Sequence, residues 1–228
     1  MRQQVRVRLL LLALVTATVV ADPGANTNAW RQCLADMSAA AIDACTDVIS
    51  VDPRNEGAYI NRGIAYRLGG ALDDAIRDYD EAIRLNPTAA DAFNNRANAY
   101  RQLDRLDAAV RDYNEALRLN PHYAHAYNNR GVIALERGDV AGAIADFDRA
   151  IRDDPSYANA FRNRGIARLD LEQFELALLD FAEAARHDRS VVRNAEYALA
   201  LFGRGFERRK AGDLGGQSDI DEARRLLR

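Results

Sequence analysis

Asn61, Asn95, Asn129 and Asn163 stand 34 residues apart, and Arg62, Arg96, Arg130 and Arg164 follow directly behind them. Asp78, Asp112, Asp146 and Asp180 form a third ladder of the same period. A carboxamide offers both a donor and an acceptor, so a column of them can grip a peptide backbone whatever its side chains. It can equally cap or order neighbouring helices, and the ladder alone leaves both readings open. Other reactive types are thin. His122 and His125 sit at i, i+3 with no third ligand type nearby, which reads as a junction feature, and His187 is isolated. There is no phosphate-binding loop, no nucleophile elbow and no Cys–His pairing with a third group. Acid pairs such as Asp73/Asp74 read as solvated charge. No catalytic residue, metal site or cofactor is expected.

The elements that must hold these ladders repeat with them. Prolines 53, 87, 121 and 155 share the 34-residue period, as do small residues at 63, 97, 131 and 165. So do Ala75, Ala109, Ala143 and Ala177, the aromatics Tyr79, Tyr113, Phe147 and Phe181, and alanines 82, 116, 150 and 184. Tyr59, Gly63 and Tyr66 fall on one helical face; Ala75, Tyr79 and Ala82 make the matching stripe of a second helix. Gly69 and Gly70 end the first helix, and each proline separates one unit from the next. A small residue facing an aromatic ring lets the two helices approach closely. Each unit is therefore a helical hairpin whose neighbours cover the apolar surface it cannot bury alone.

These residues resemble the tetratricopeptide repeat, with a small residue eighth, alanine twentieth, an aromatic twenty-fourth, alanine twenty-seventh and proline thirty-second. Counted so, the regular units are 56–89, 90–123, 124–157 and 158–191, and the expected fold is an all-α, right-handed helical-hairpin solenoid. "AIDACTDVISVDP" (41–53) aligns without a gap to "AIRDYDEAIRLNP" (75–87). Residues 22–55 thus read as a degenerate hairpin with a shortened first helix around Trp30. Arg189 replaces the last proline, and residues 192–228 read as a divergent capping hairpin that starts about six residues late.

The resemblance implies that first helices line a concave groove, so the asparagines would run down it, as in the asparagine ladder of O-linked N-acetylglucosamine transferases. Asn94, Asn98, Asn128 and Asn159 enrich the same side, and Arg67, Asp91, Arg101 and Arg162 would supply specificity. The chain departs from the family where Arg62, Arg96, Arg130 and Arg164 replace a usual leucine. A part-buried arginine needs a partner, which predicts Arg–Asp pairs within or between repeats; the alternative is arginines projecting into the groove. The lysine-based carboxylate clamp of chaperone-binding relatives is not reproduced, because no regular unit contains a lysine.

The chain has 228 residues, 48% hydrophobic and 29% charged, enough for a buried core. Its first 21 residues stand apart: Arg2, Arg6 and Arg8 precede an apolar run from Leu9 to Val20, with Val19 and Ala21 before Asp22-Pro23. This is the pattern of an export signal cut after Ala21. The alternative is an inner-membrane anchor facing the periplasm, although the run is short for a bilayer span. Removing three of 31 basic residues against 34 acidic ones leaves a formal charge of −6, which gives no footprint for nucleic acid. After cleavage no membrane insertion is expected. In an oxidising compartment Cys33 and Cys45 read as a disulfide, the alternative being two small buried thiols. The expected function is a non-catalytic scaffold, periplasmic or secreted, holding an extended peptide or partner segment in an asparagine-lined groove. The competing reading is an assembly factor of a cell-envelope complex acting through its outer face or ends. The sequence does not set the oligomeric state.

Overall fold

The computed structural model describes residues 28–35 and 39–227, so the expected export signal and Arg228 lie outside the described residues. The described residues form twelve α-helices and one short 3-10 turn, with no strand. They run α1 (Asn28–Ala35), α2 (Ala39–Val51), α3 (Glu56–Leu68), α4 (Leu72–Leu85), α5 (Ala90–Gln102) and α6 (Leu106–Leu119). After these come α7 (Ala124–Glu136), α8 (Val140–Asp153), α9 (Ala158–Asp170), α10 (Phe174–His187), α11 (Asn194–Lys210) and α12 (Gly215–Leu226). Each odd helix packs on the even helix that follows it and on the even helix before it. The result is a row of antiparallel hairpins rather than one closed core.

Close approach inside each hairpin follows from the small residue opposite the ring. Tyr79, Tyr113, Phe147 and Phe181 are all fully buried. A methyl group at Gly63 would stand 2.6 Å from Tyr79 Cε1, one at Gly131 2.8 Å from Phe147 Cε1, and one at Gly165 2.6 Å from Phe181 Cε1. The ring fills the space that the missing side chain leaves. Removing such a ring would cost about 3–5 kcal/mol through lost burial and an unfilled cavity.

The turn inside each hairpin requires a left-handed residue at one repeated place. It is Gly70 and Gly138 in two units, but Asp104 and Glu172, both at φ 57°, in the others. Between hairpins a different device recurs. Asn86, Asn120, Asp154 and Asp188 sit in extended conformation just after their helices, and each side chain accepts from the backbone N–H two residues on, at 2.9–3.1 Å. Such a side-chain turn fixes the exit direction of the chain. It persists at Asp188, where Arg189 stands in place of proline.

Both ends differ from the regular units. Helix α1 has 8 residues against 13 in α3, so the first hairpin is short. Cys33 on α1 and Cys45 on α2 are buried with their Cα atoms 4.8 Å apart, which is disulfide distance. At the other end α11 begins at Asn194 and runs to 17 residues, and this extra length puts the start of the last hairpin's second helix, α12, late in the repeat. Among the described residues no helix is long and apolar enough to cross a membrane.

Candidate functional site

The arginine ladder is paired throughout, and it pairs twice. Arg62, Arg96 and Arg130 each make two bonds of 2.6–2.8 Å, through Nε and Nη2, to Asp78, Asp112 and Asp146 on the second helix of their own hairpin. Arg164 does the same with Asp180, its Nη2 at 2.6 Å. The remaining nitrogen, Nη1, reaches back to the preceding hairpin: to Thr46 at 3.0 Å, and to Asp80, Asn114 and Asp148 at 2.6 Å. Each guanidinium also lies over an aromatic ring of its own helix, 5.5–5.6 Å from the centroid of Tyr59, Phe93, Tyr127 or Phe161. Arg204 and Asp219 repeat the forked pair in the divergent last hairpin. Burial pushes the Asp78 and Asp180 carboxyls above their ordinary value, and the facing guanidiniums pull them part of the way back. The arginines therefore tie repeats together and do not project into a groove.

The asparagines divide into two groups. Asn129 donates from Nδ2 to Asn98 Oδ1 at 3.0 Å, and Asn163 donates to Asn128 Oδ1 at 2.9 Å. In both cases a carboxamide on one first helix reaches back to the first helix before it. Asn128 in turn donates to Asn129 at 3.3 Å. Tyr113 donates its hydroxyl to Asn98 Oδ1 at 2.6 Å. The bonds of Asn129, Asn163 and Tyr113 link neighbouring helices. On α5 the picture changes. Asn95 is fully buried and, among the described residues, neither its Oδ1 nor its Nδ2 has a hydrogen-bond partner; the same holds of Asn94 Oδ1 and Asn98 Nδ2. Asn61 is buried on α3 and Asn159 is half-buried on α9.

The remaining candidates separate in the same way. Arg162 is committed to Glu196 on α11, with Nε 2.9 Å from Oε2 and a second bond through Nη2. Both side chains are buried, so the expected ligand cation is instead a link between successive first helices. Asp91 accepts from the Tyr123 hydroxyl. Arg101 comes only to 4.0 Å from Glu136, whose carboxyl burial pushes up. Arg67 is 2% exposed, and its Nε and Nη2 have no partner among the described residues. His125 packs against the Tyr157 ring at 4.6 Å, and burial pushes its imidazole below the ordinary value. His122 pairs with Asp153 across the junction at 2.9 Å. No group of acids, histidines and cysteines among the described residues could hold a metal ion.

Family models agree with this architecture. One described as tetratricopeptide repeat matches residues 94–158, and a second, TPR repeat, matches residues 63–104. The chain carries tetratricopeptide repeats over residues 63–158. Such repeats are interaction modules without catalytic machinery of their own. The chain's hairpin row is the α-α solenoid seen in solved relatives. MamA is 26% identical, with a TM-score of 0.57 over 66% of this chain and 88% of that one. YrrB, described as a TPR protein with an unusual peptide-binding site, superposes with a TM-score of 0.64 at 20% identity, covering 81% of this chain and 93% of its own. PilW, a type IV pilus biogenesis factor, gives 0.62 at 20% identity over 82% and 90%. At those last two identities the likeness is one of fold. Among curated proteins none matches the sequence. Tetratricopeptide-repeat proteins bind protein or peptide partners.

Proposed function

We propose that this protein is an exported scaffold that holds an extended partner segment against its asparagine-lined first helices, with α5 at the centre of the contact. The observation that carries this reading is the unpartnered carboxamide edge of Asn94, Asn95 and Asn98. A buried polar group without a partner costs about 1–3 kcal/mol, and an alternating set of donors and acceptors matches what a peptide backbone offers. The basic, apolar leader before Asp22 and the Cys33–Cys45 pair support export to the periplasm or beyond, with the disulfide formed there. YrrB, with its peptide-binding site, is a precedent within the fold.

Asn95 is the position to test, because replacing it removes two unpartnered atoms and no hydrogen bond. Asn95→Ala should leave the melting temperature unchanged or slightly higher, while crosslinked recovery of a partner from the native cell envelope falls about tenfold. Unchanged recovery would turn attention to the second reading, an assembly factor acting through its outer face or ends. One observation favours that alternative. Leu176 and Leu179 on α10, Leu199 and Phe206 on α11 and Leu214 beyond it are all exposed near one end of the array. On that reading Leu179→Asp with Phe206→Asp, rather than Asn95→Ala, releases the partner.

A further inference from the structure

The outer face of the second helices changes along the row. Three places, spaced three apart, hold Asp74, Arg77 and Asp80 on α4, then Ala108, Arg111 and Asn114 on α6. They hold Gly142, Ala145 and Asp148 on α8, and Leu176, Leu179 and Ala182 on α10. Among the described second helices only α10 is apolar at all three, and all three are exposed, Leu176 by 43% and Leu179 by 61%. The forked pair Arg204–Asp219 sets the register of the last hairpin, where the same places are Gly215, Ser218 and Asp221. The apolar stripe is therefore confined to one helix. It also forgoes a link between repeats. Asp80, Asn114 and Asp148 each accept from the arginine of the next hairpin, whereas Ala182 offers no acceptor and Arg204 lies 3.7 Å from Glu175 instead. Solvation alone would favour charge at these places, as on α4. Leucines side by side in water mark a contact surface.

The charges at the two ends of the stripe decide what fits it. Glu172 and Glu175 lie before it and Arg186 and Arg189 after it, all exposed. Glu175 keeps 70% of its side chain exposed and Arg186 keeps 65%, the latter in an i, i+3 pair with Glu183 that water screens. Acid at one end and base at the other make the face complementary to itself turned end for end. We propose that the outer face of α10 binds the same face of a second copy of this chain, the two helices running antiparallel across a twofold axis. In the register that sets Glu175 against Arg186 of the second copy, Leu179 meets its Ala182 and Leu176 its Ala185. Each large side chain then lies over a small one, and Glu172 faces Arg189 of the second copy. The contact is isologous, so every pair occurs twice. A helix of 14 residues is about 21 Å long, and one such face per copy makes a small interface of about 10 µM strength. Only second helices take part; Leu199 and Phe206, on the first helix α11, do not. The dimer leaves α5 of each copy outside the contact and so presents two rows of first helices, whether or not those rows hold a peptide.

Sedimentation equilibrium of the purified chain tests this. The chain should show a monomer–dimer equilibrium with a dissociation constant of about 10 µM. Leu179→Glu should weaken it about a hundredfold, since it would bury two carboxylates in the contact. Glu175→Arg and Arg186→Glu each set two pairs of like charges face to face, and each should weaken it about tenfold. An equimolar mixture of these two variants should associate as tightly as the unaltered chain, because opposite charges then meet at both ends. In dilute solution, where the chain is monomeric, Leu179→Glu changes an exposed position and should leave the melting temperature within about 2 °C. A chain that stays monomeric at high concentration overturns the proposal. So does a dimer that Leu179→Glu leaves intact, which must form elsewhere on the molecule. A dimer that Leu179→Glu breaks, but whose mixed charge variants fail to associate, overturns the antiparallel pairing. If the chain is monomeric while Leu179→Glu releases the envelope partner, the face belongs to a different protein. If the dilute melting temperature falls well beyond that margin, the chain's own residues cover the face. Either result rules out the dimer.

Discussion

At Arg130 a single side chain does three jobs: its fork holds Asp146, its third nitrogen holds Asn114 of the preceding hairpin, and its face covers Tyr127. Pairing a charge with a carboxylate need not add stability over an apolar pair, but leaving one partner behind is costly. A double-mutant cycle on Arg130→Met and Asp146→Ala should therefore give a coupling of about 1–2 kcal/mol. The value stays below that of a fully buried pair because the Arg130 side chain keeps 28% exposure. Zero coupling in chemical denaturation would mean that the ring contact, not the ion pair, holds the arginine. The same residue-scale argument separates the asparagines. Asn129→Ala removes a bond between successive first helices and should lower stability by about 1 kcal/mol. Asn95→Ala, which removes none, should not. Both residues occupy the same place in the repeat, so this difference was invisible to spacing. It arises because Asn98 on the preceding helix offers Asn129 an acceptor, whereas its counterpart before Asn95 is Ile64.

Helix ends show what spacing could and could not reveal. The paired glycines 69 and 70 marked one hairpin turn plainly, and the 34-residue proline period marked the junctions. Proline, however, was the conspicuous residue rather than the sufficient one. The side-chain turns at Asn86, Asn120, Asp154 and Asp188 recur with the same period, and the last works before Arg189. Two asparagines give way to two aspartates along that ladder, so a search for identical residues passes over a shared function: one oxygen accepting from the N–H two residues ahead. The Arg–Asp pairing was legible because both charges recur together, while the link back to Thr46, Asp80, Asn114 and Asp148 was hidden by the change of residue type. The left-handed position is another case. Gly70 and Gly138 suit it, but Glu172 holds φ 57° with a side chain. Glu172→Gly should raise stability by about 1 kcal/mol, read as a higher denaturation midpoint. Asp104→Gly should gain less, since aspartate tolerates that conformation better.

Across the whole molecule stability is distributed along the row, because each hairpin touches chiefly its neighbours. The consequence is that damage should stay local. The first hairpin has the shortest helix, α1, and a small core of Trp30, Cys33, Ala44, Cys45, Val48 and Ala58. A disulfide between Cys33 and Cys45, separated by 12 residues, would restrict the unfolded state of this hairpin and contribute about 2–3 kcal/mol. Replacing both with serine also places hydroxyls in that apolar core, so alanine is the cleaner substitution. With Cys33→Ala and Cys45→Ala, amide hydrogen exchange should accelerate through α1 and α2 and part of α3, which α2 helps to cover. Protection in α7 to α10 should stay as it was, because the four intact interfaces from α3 to α4, α4 to α5, α5 to α6 and α6 to α7 lie between, and none depends on the cysteine pair. Uniform acceleration along the chain would show instead that the solenoid unfolds as one cooperative unit. In that case the two-way arginine links, rather than simple stacking, would be what couples distant hairpins.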